Sequence, residues 1–114
     1  MAKPIAPTGI PEVAHMLLMV FRSSLERDVL ALLRDLRVKA FTDLPEVLGA
    51  GEAGVAFHSF PWPGFNSMIL IALDEHESLR IVNAMRAFRD RMGRVQHGAS
   101  IPLRVFVVPC VQAI

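Results

Sequence analysis

Three short segments of this chain are apolar at nearly every position, and they constrain the fold more than any other feature. They are residues 16–21, 68–73 and 103–108. Each has the length of a β-strand and falls far short of the roughly 18 residues that a membrane-spanning helix needs. Because successive side chains of a strand point to opposite faces, a strand that is apolar throughout buries both faces. The sequence therefore predicts no membrane span, but a sheet covered by helices on one face and by another subunit on the other.

Two amphipathic helices are predicted between these strands. The first follows a capping box, in which the Ser23 hydroxyl would accept from a backbone amide while Glu26 reaches back. Its apolar stripe consists of Leu25, Val29, Leu32, Leu33 and Leu36. The second helix begins after the similar cap at Asp74 and is predicted to end at Gly93. Its stripe consists of Leu79, Val82, Met85 and Phe88, with Met92 as a further candidate member.

With a short second strand at residues 38–42, and a last strand ending before Pro109, the element order is β-α-β-β-α-β. This order predicts an α+β, ferredoxin-like split β-α-β fold, an antiparallel sheet with both helices on one face. An unrelated α+β arrangement of the same elements remains an alternative. The 114 residues suit one domain, at 13–114, preceded by a flexible arm at 1–12 that is rich in proline.

Residues 44–66 form a long predicted loop. They contain three of the eight prolines and four of the seven glycines. The glycines lie mainly in residues 49–54, whereas prolines stiffen residues 60–64.

The charge balance excludes some partners. A formal net charge of +1 provides no global field for nucleic acid or an anionic membrane. The single Cys110 cannot build a disulfide framework, and residues 2–13 lack the apolar core of a signal peptide, so we expect a cytoplasmic protein. One region is locally basic: residues 80–104 contain six arginines and one acid, Asp90. The absence of tyrosine excludes regulation through a phenol group.

The length, element order and glycine-bearing loop resemble those of the PII-like signalling proteins, with the CutA-type cation-tolerance proteins as distant relatives. Residues 38–41 followed by 48–51 look like the second strand and the start of the mobile T-loop of this family. The stretch Trp-Pro-Gly-Phe-Asn-Ser at 62–67 is similar to the exit of that loop, and residues 104–109 to the closing strand.

The resemblance implies a homotrimer whose sheets line its interior. Ligand clefts would lie between neighbouring subunits beneath the T-loops, and a bound nucleotide or other metabolite would be signalled to a protein target through that loop. In nucleotide-binding members the segment before the last strand ends in Gly-Asp-Gly-Lys. Here Ser100-Ile101-Pro102-Leu103-Arg104 keeps only the final cation, and Pro102 has no amide hydrogen to donate to a phosphate. We therefore expect a small anionic ligand, which is a nucleotide or another metabolite, at a phosphate-loop motif that is degenerate.

Two groups of residues are candidates for binding this ligand. Arg104 could pair with a phosphate or carboxylate, assisted by Arg94 and by the amides of Gly93 and Gly98. The alternative is that Arg104 is a solvated or ion-paired arginine at the edge of the sheet. The second group lies at the proline-braced end of the loop and consists of Trp62, Gly64 and Asn66. Its alternative is a turn with a packed aromatic plug.

Two other functions remain open. A CutA-like trimer could hold a divalent metal through His58 and His97, with Glu52 or Cys110 as a further ligand, although no His or Cys spacing typical of a metal site is present. A small ferredoxin-like enzyme with an internal pocket is the other alternative. No phosphate-binding, dinucleotide or nucleophile motif occurs, so the favoured interpretation is a non-enzymatic regulatory protein with no catalytic residues.

Overall fold

A computed structural model of the protein describes residues 13–48, 65–95, 97–98 and 101–114. The strands are β1 (Val13–Arg22), β2 (Thr42–Leu48), β3 (Phe65–Leu73) and β4 (Leu103–Val111). The helices are α1 (Glu26–Asp35), which follows a 3₁₀ turn at Ser23–Leu25, and α2 (Glu75–Val95). Within these residues, no helix is both long enough and apolar enough to cross a membrane.

The four strands form one antiparallel sheet in the order β2-β3-β1-β4. β1 lies in the interior of the sheet, where Leu17 is paired with Ile71 of β3 and with Val107 of β4. This order and the two helices confirm the predicted α+β ferredoxin-like fold.

The hydrophobic core lies between the helices and one face of the sheet. Alternate residues of the two inner strands, such as Leu17 and Ile69, are fully buried there. Both helices contribute to the same cluster, with Leu33 from α1 and Ile81 from α2 also fully buried. The helices therefore cover the same face, as predicted. The predicted stripes identify the sides that pack on it, except that Leu79 of α2 is 59% exposed and Ile81 is buried instead.

The opposite face of the sheet, here called the open sheet face, is also apolar. Its residues are Met16, Leu18, Val20, Leu44, Met68, Leu70, Phe106 and Val108. They are half-buried or exposed, and Phe106 is 50% exposed. None of the described segments packs over this face. An apolar surface of this kind is typical of a protein interface.

The predicted capping box at the start of α1 is wrong. Ser23 lies in the 3₁₀ turn, and α1 has no side-chain cap. Instead, the Ser23 hydroxyl is 3.4 Å from that of Ser67 on β3, and the Ser67 hydroxyl donates to Glu26 at 3.1 Å. The 3₁₀ turn brings Ser23 and Glu26 to the sheet, where the buried Ser67 hydroxyl needs hydrogen-bond partners. The Asp74 cap of α2 is confirmed, since its carboxylate accepts from the Glu77 amide at 2.8 Å.

Both helices end in a Schellman motif whose left-handed residue is not glycine. In α1 this residue is Arg37 (φ 62°), and the Val38 amide donates back to Leu33 at 3.0 Å. In α2 it is His97 (φ 56°), and the Gly98 amide donates to Gly93 at 2.7 Å. The prediction that α2 stops at Gly93 is therefore wrong, because Gly93 lies within the last helical turns and its carbonyl accepts the closing bond.

The second strand lies later in the chain than predicted. Residues 38–41 are not a strand, because Val38 closes the end of α1 and packs against the core. β2 instead continues through Pro45 and Glu46, where a shift in register accommodates the positive φ of Glu46 (58°). This strand lies at the edge of the sheet, where proline is tolerated.

The strand boundaries also shorten the predicted loop at 44–66. Residues 44–48 belong to β2 and residues 65–66 to β3, while residues 49–64 lie outside the described residues. Likewise, β4 does not stop before Pro109 but continues to Val111, since it forms the other edge of the sheet. The predicted arm at 1–12 also lies outside the described residues.

Candidate functional site

A wide, open depression of about 620 Å³ lies where the end of α2 meets the start of β4. The last turns of α2 and the Schellman turn form one wall, and the start of β4 forms the other. Its lining consists of Arg89, Asp90, Gly93, Arg94, Gly98, Ile101, Leu103 and Arg104. Four predicted site residues, Gly93, Arg94, Gly98 and Arg104, are therefore brought together.

The depression is rich in cations that are available to a ligand. The side chains of Arg94 and Arg104 are exposed and have no ion-pair or hydrogen-bond partner within the part of the chain that the structure describes. Arg89 is 3.9 Å from the carboxylate of its neighbour Asp90, and both side chains are more than half exposed, so this pair is weak. Three guanidinium groups around one carboxylate favour an anionic ligand with phosphate or carboxylate oxygens.

The backbone around the depression is already largely bonded. The carbonyls of Gly93 and Arg94 accept from the amides of Gly98 and His97. The Leu103 amide donates to the Ile101 carbonyl at 2.8 Å, and Pro102 has no amide hydrogen. Of the two predicted glycine amides, that of Gly98 is therefore occupied by the helix end. The arginine side chains, rather than a phosphate-binding loop, are the donors that this depression offers.

Arg104 also borders the open sheet face. It is paired with Val20 in the β1–β4 register, so it occupies a position on that face beside the apolar residues. The neighbouring Leu103 is buried on the helix side. Arg104 therefore lies where the depression and the open sheet face meet.

The structure does not bring Asn66 into the depression. Asn66 is part of β3 rather than of a loop exit, and it is paired with Arg22 of β1 and Val47 of β2. Its position lies on the open sheet face, two strands away from β4. Trp62 and Gly64, with which it was predicted to act, lie outside the described residues.

The residues considered for a metal site do not converge where they are described. His97 is the exposed left-handed residue at the end of α2, whereas Cys110 is paired with Ala14 at the opposite end of the β1–β4 ladder from Arg104. His58 and Glu52 lie outside the described residues. Within the described ranges, no three histidine, cysteine or carboxylate side chains are grouped to hold a metal ion.

The sequence analysis missed a second polar cluster, which joins α1 to the sheet. Glu26 accepts from the fully buried Ser67, and its carboxyl also interacts with the Asp43 carboxyl on β2. The bond with Asp43 raises the pKa of Glu26, and burial and the Asp43 charge act in the same direction, while Ser67 lowers it. Asp43 Oδ1 is buried and has no hydrogen-bond partner among the described residues, so it favours the protonated form of the neighbouring Glu26 carboxyl.

Glu26→Gln is expected to stabilise the protein at neutral pH by about 1 kcal/mol, because an amide donates permanently to Asp43 while still accepting from Ser67. The raised pKa means that the folded state binds the proton more tightly than the unfolded state. The stability from this group is thus present below its ordinary pKa of 4.5 and is lost as pH rises through the raised value.

Urea unfolding at about pH 5 and about pH 7 measures this effect, since stability follows the difference in bound protons. The native chain should lose stability over this interval through Glu26, and E26Q should lose less. Glu75→Gln, a matched change at the exposed start of α2, should leave the slope unaltered. A slope that is equal in the native chain and E26Q would contradict the shared proton.

A signal for this cluster was present in the sequence. Ser67 occupies the same alternation as Ile69 and Ile71, which places a hydroxyl on the buried face of β3. A buried hydroxyl implies a polar partner across the core. Arg89 and Asp90 were also missed as lining residues, although they lie one helical turn before Gly93 and Arg94.

No family model matches this chain, and no curated protein matches its sequence. The solved structures do provide matches. CPII of Thiomonas intermedia K12, a nitrogen regulatory PII-like protein bound to ADP, AMP and bicarbonate, matches with a TM-score of 0.65 over 90% of this chain and 91% of CPII, at 17% identity. The chain has the PII-like fold. The apo form of CPII matches with a TM-score of 0.61 and 16% identity, over 89% of this chain and 92% of CPII.

A second protein supports the same conclusion. A protein of Thermus thermophilus described as PII-like and signalling matches with a TM-score of 0.55 and 19% identity, over 89% of this chain and 90% of that protein. The resemblance to PII-like proteins, inferred from the element order and the glycine-bearing loop, is thus confirmed at the level of fold. In the PII-like fold of this chain, the arginine-lined depression lies between α2 and the last strand.

Proposed function

We propose that this protein is a non-enzymatic regulatory protein that senses a small anionic ligand. The observation that carries the proposal is the gathering of Arg89, Arg94 and Arg104 at one depression. Arg94 and Arg104 have no partner among the described residues, which leaves their charge available to phosphate or carboxylate oxygens. CPII, which shares the fold, was solved with ADP, AMP and bicarbonate, and these anions are the first ligands to test.

The ligand site is proposed to lie between subunits of a homotrimer. The open sheet face is apolar along three strands, and a second copy packed on it would remove that surface from water. Arg104 borders both the depression and this face. A neighbouring subunit would therefore close the depression and exclude water from a bound anion, which strengthens its contacts with the arginines.

The signal is proposed to leave the site through the predicted loop at 44–66. The loop is flanked by β2 and β3, which pair with each other, and β3 also pairs with β1. A structural change at the open sheet face can therefore be transmitted to the ends of the loop. A ligand that favours one loop conformation would shift its population and alter contact with a protein target. Trp62, Gly64 and Asn66 remain proposed contributors on the loop side of the cleft.

Calorimetric titration with ADP tests the ligand class. We expect saturable binding, and at about one hundred times its Kd the nucleotide should stabilise the native state by about 2.7 kcal/mol in thermal unfolding. Adenosine is the matched control because it carries the same base and ribose without phosphate, and it should have little effect. AMP and bicarbonate extend the series. Equal responses to ADP and adenosine, or no response to any of the anions, would refute an anion site.

No observation in the described residues favours the alternatives. Of the proposed metal pair His58 and His97, the structure describes His97 alone, and within the described residues it belongs to no group of three metal-binding side chains. An enzyme with an internal pocket would need an enclosed cavity, whereas the depression is wide and open. The cytoplasmic location likewise stays a proposal from the sequence.

A further inference from the structure

The edge strand β2 contributes no side chain to the described hydrophobic core. The buried cluster and the apolar residues packed against it come from β1, β3, β4, the two helices and the segments that adjoin them. Within the sheet, β2 pairs with β3 alone. The attachment of β2 to the helix layer therefore depends on contacts other than apolar burial.

Asp43 occupies a position of β2 that faces the helices. It is paired with Ile69, a fully buried residue of β3, and paired residues point to the same face. Ser67 lies two residues before Ile69 on that face, diagonally across from Asp43. Its hydroxyl donates to Glu26, at the start of α1, at 3.1 Å. The strand register and this bond together bring the carboxyls of Asp43 and Glu26 beside each other.

The groups around Glu26 determine how its charge is compensated. The polar side chains of the adjoining elements at this cluster are Ser23 of the 3₁₀ turn, Asp43 of β2 and Ser67 of β3. On α1 itself, the neighbouring Arg27 and Asp28 are exposed to water. Arg22, at the end of β1, occupies a position on the open sheet face. The charge that acts on Glu26 from across the cluster is therefore that of the Asp43 carboxylate.

The two protonation states of this carboxyl pair differ in their hydrogen bonds. Asp43 Oδ1 is buried and has no hydrogen-bond partner among the described residues. When Glu26 is protonated, its hydroxyl can donate to Asp43 while Ser67 still donates to Glu26. When both carboxyls are ionised, neither can donate, and the like charges repel where water is partly excluded. The first state holds β2 to α1, and the second favours their separation.

The pairing of β2 is interrupted directly after this position. The register with β3 shifts after Leu44, and Glu46, which is exposed, has a φ of 58°. Pro45 has no amide hydrogen for the ladder. A strand bends at such an irregularity. The predicted loop at 44–66 begins here, so a displacement of Asp43 reaches the start of the loop.

We propose that Glu26 and Asp43 form a proton-dependent latch, which holds β2 and the base of the loop at 44–66 against α1 when the pair shares a proton, and releases them when both carboxylates are ionised. The latch lies on the helix side of the sheet, so a subunit packed on the open sheet face leaves it in place. It makes the loop respond to pH as well as to a ligand, and only this consequence rests on the proposed function.

The direction of the pH dependence follows from proton binding. The hydrogen bond with Asp43, together with burial, raises the pKa of Glu26 above 4.5 while β2 is docked. After release the carboxyl is solvated and separated from Asp43, so it regains its ordinary pKa. The docked state therefore binds the proton more tightly. It is favoured below the raised pKa and is lost as pH rises through that value.

Hydrogen exchange of the full chain without ligand, followed by mass spectrometry, measures the release of β2. Protection is corrected for the intrinsic effect of pH on exchange. We expect the protection of residues 42–48 to fall about tenfold between about pH 5 and about pH 7, through loss of one hydrogen bond to a charged group. Low urea concentrations should barely alter this exchange, because release exposes little surface, but should accelerate exchange in residues 16–21 of β1.

Variants assign the release to the carboxyl pair. Glu26→Gln and Asp43→Asn should each keep the protection of residues 42–48 high at both pH values, because a side-chain amide donates to the remaining carboxylate without a titrating proton. Glu26→Ala should give low protection at both, since it removes the bond. Glu75→Gln, at the exposed start of α2, should retain the native pH dependence. If one amide variant does not fold, the other carries the same test.

Three results would overturn the latch. They are a protection of residues 42–48 that does not change with pH in the native chain, a native pH dependence that persists in both amide variants, and equal protection and equal urea dependence of β2 and β1. The last result would mean that β2 opens only when the whole subunit unfolds. Because no ligand is present, failure of the latch leaves the anion site open to calorimetry, and failure of ADP binding leaves the latch measurable.

Discussion

Leu18→Glu is expected to convert the proposed trimer into folded monomers of 12.6 kDa. Leu18 lies on the open sheet face in the middle of β1, paired with Leu70 and Phe106. A trimer closed around this face would bury three copies of the new carboxylate near one another. Burying an unpaired charge costs several kcal/mol for each ion, whereas the same carboxylate is solvated in a monomer.

Sedimentation equilibrium measures this change, and circular dichroism confirms that the variant is folded. The matched control is Leu79→Glu on α2, where the native leucine is already 59% exposed and lies away from the open sheet face. We expect the control to keep the native mass. A folded Leu18→Glu variant with the native oligomeric mass would contradict the role of this face.

Arg104→Glu is expected to abolish ADP binding, with a loss of about one hundredfold or more. The change removes a guanidinium that can form charge-assisted bonds with a phosphate, each worth about 1.5–3 kcal/mol, and adds a repulsive charge. Arg104→Lys should give an intermediate loss, because lysine keeps the charge but cannot bind two oxygens in parallel.

The matched control for this experiment is Arg34→Glu. Arg34 is exposed on α1 and does not line the depression, so the net charge changes equally while the site does not. Calorimetric titration of the three variants, with their masses measured in parallel, separates lost binding from lost assembly. Native affinity in an Arg104→Glu protein of native mass would contradict the assignment of the site.

The sequence predicted the fold largely because its signal is hydrophobic periodicity. Strands such as β1 are apolar on both faces, and the apolar residues of the helices recur at helical spacing. The pattern of buried residues therefore reveals both kinds of element in the sequence. The predictions that failed depend on polar contacts made across the chain. The Ser23 hydroxyl faces Ser67 rather than a helix amide, and the chemistry of a capping box does not reveal that distant partner.

Local backbone geometry accounts for the other differences. Gly93 is a plausible helix end, yet α2 ends in a motif with His97 in the left-handed conformation. Likewise, Pro45 indicates a loop when the sequence is considered alone, but proline is also tolerated on an edge strand, which is where Pro45 lies. These outcomes follow from tertiary context rather than from residue type.

The candidate site was partly predictable for a similar reason. Arg94, Gly98 and Arg104 flank one short connection between α2 and β4, so their proximity follows from the element order. Asn66 belongs to the second predicted group, and its place in β3, away from this depression, depends on the sheet order and register. The interaction of Glu26 with Asp43 also depends on the sheet order and register. The sequence signal at Ser67 indicated a buried hydroxyl but did not identify this pair.

The central claim is that a small anion is held between subunits of this protein, and native mass spectrometry with and without ADP tests it most directly. We predict a species of three times 12.6 kDa that gains the mass of ADP, and monomers without ADP after Leu18→Glu. A native chain that remains a 12.6 kDa monomer in the presence of ADP would contradict the account.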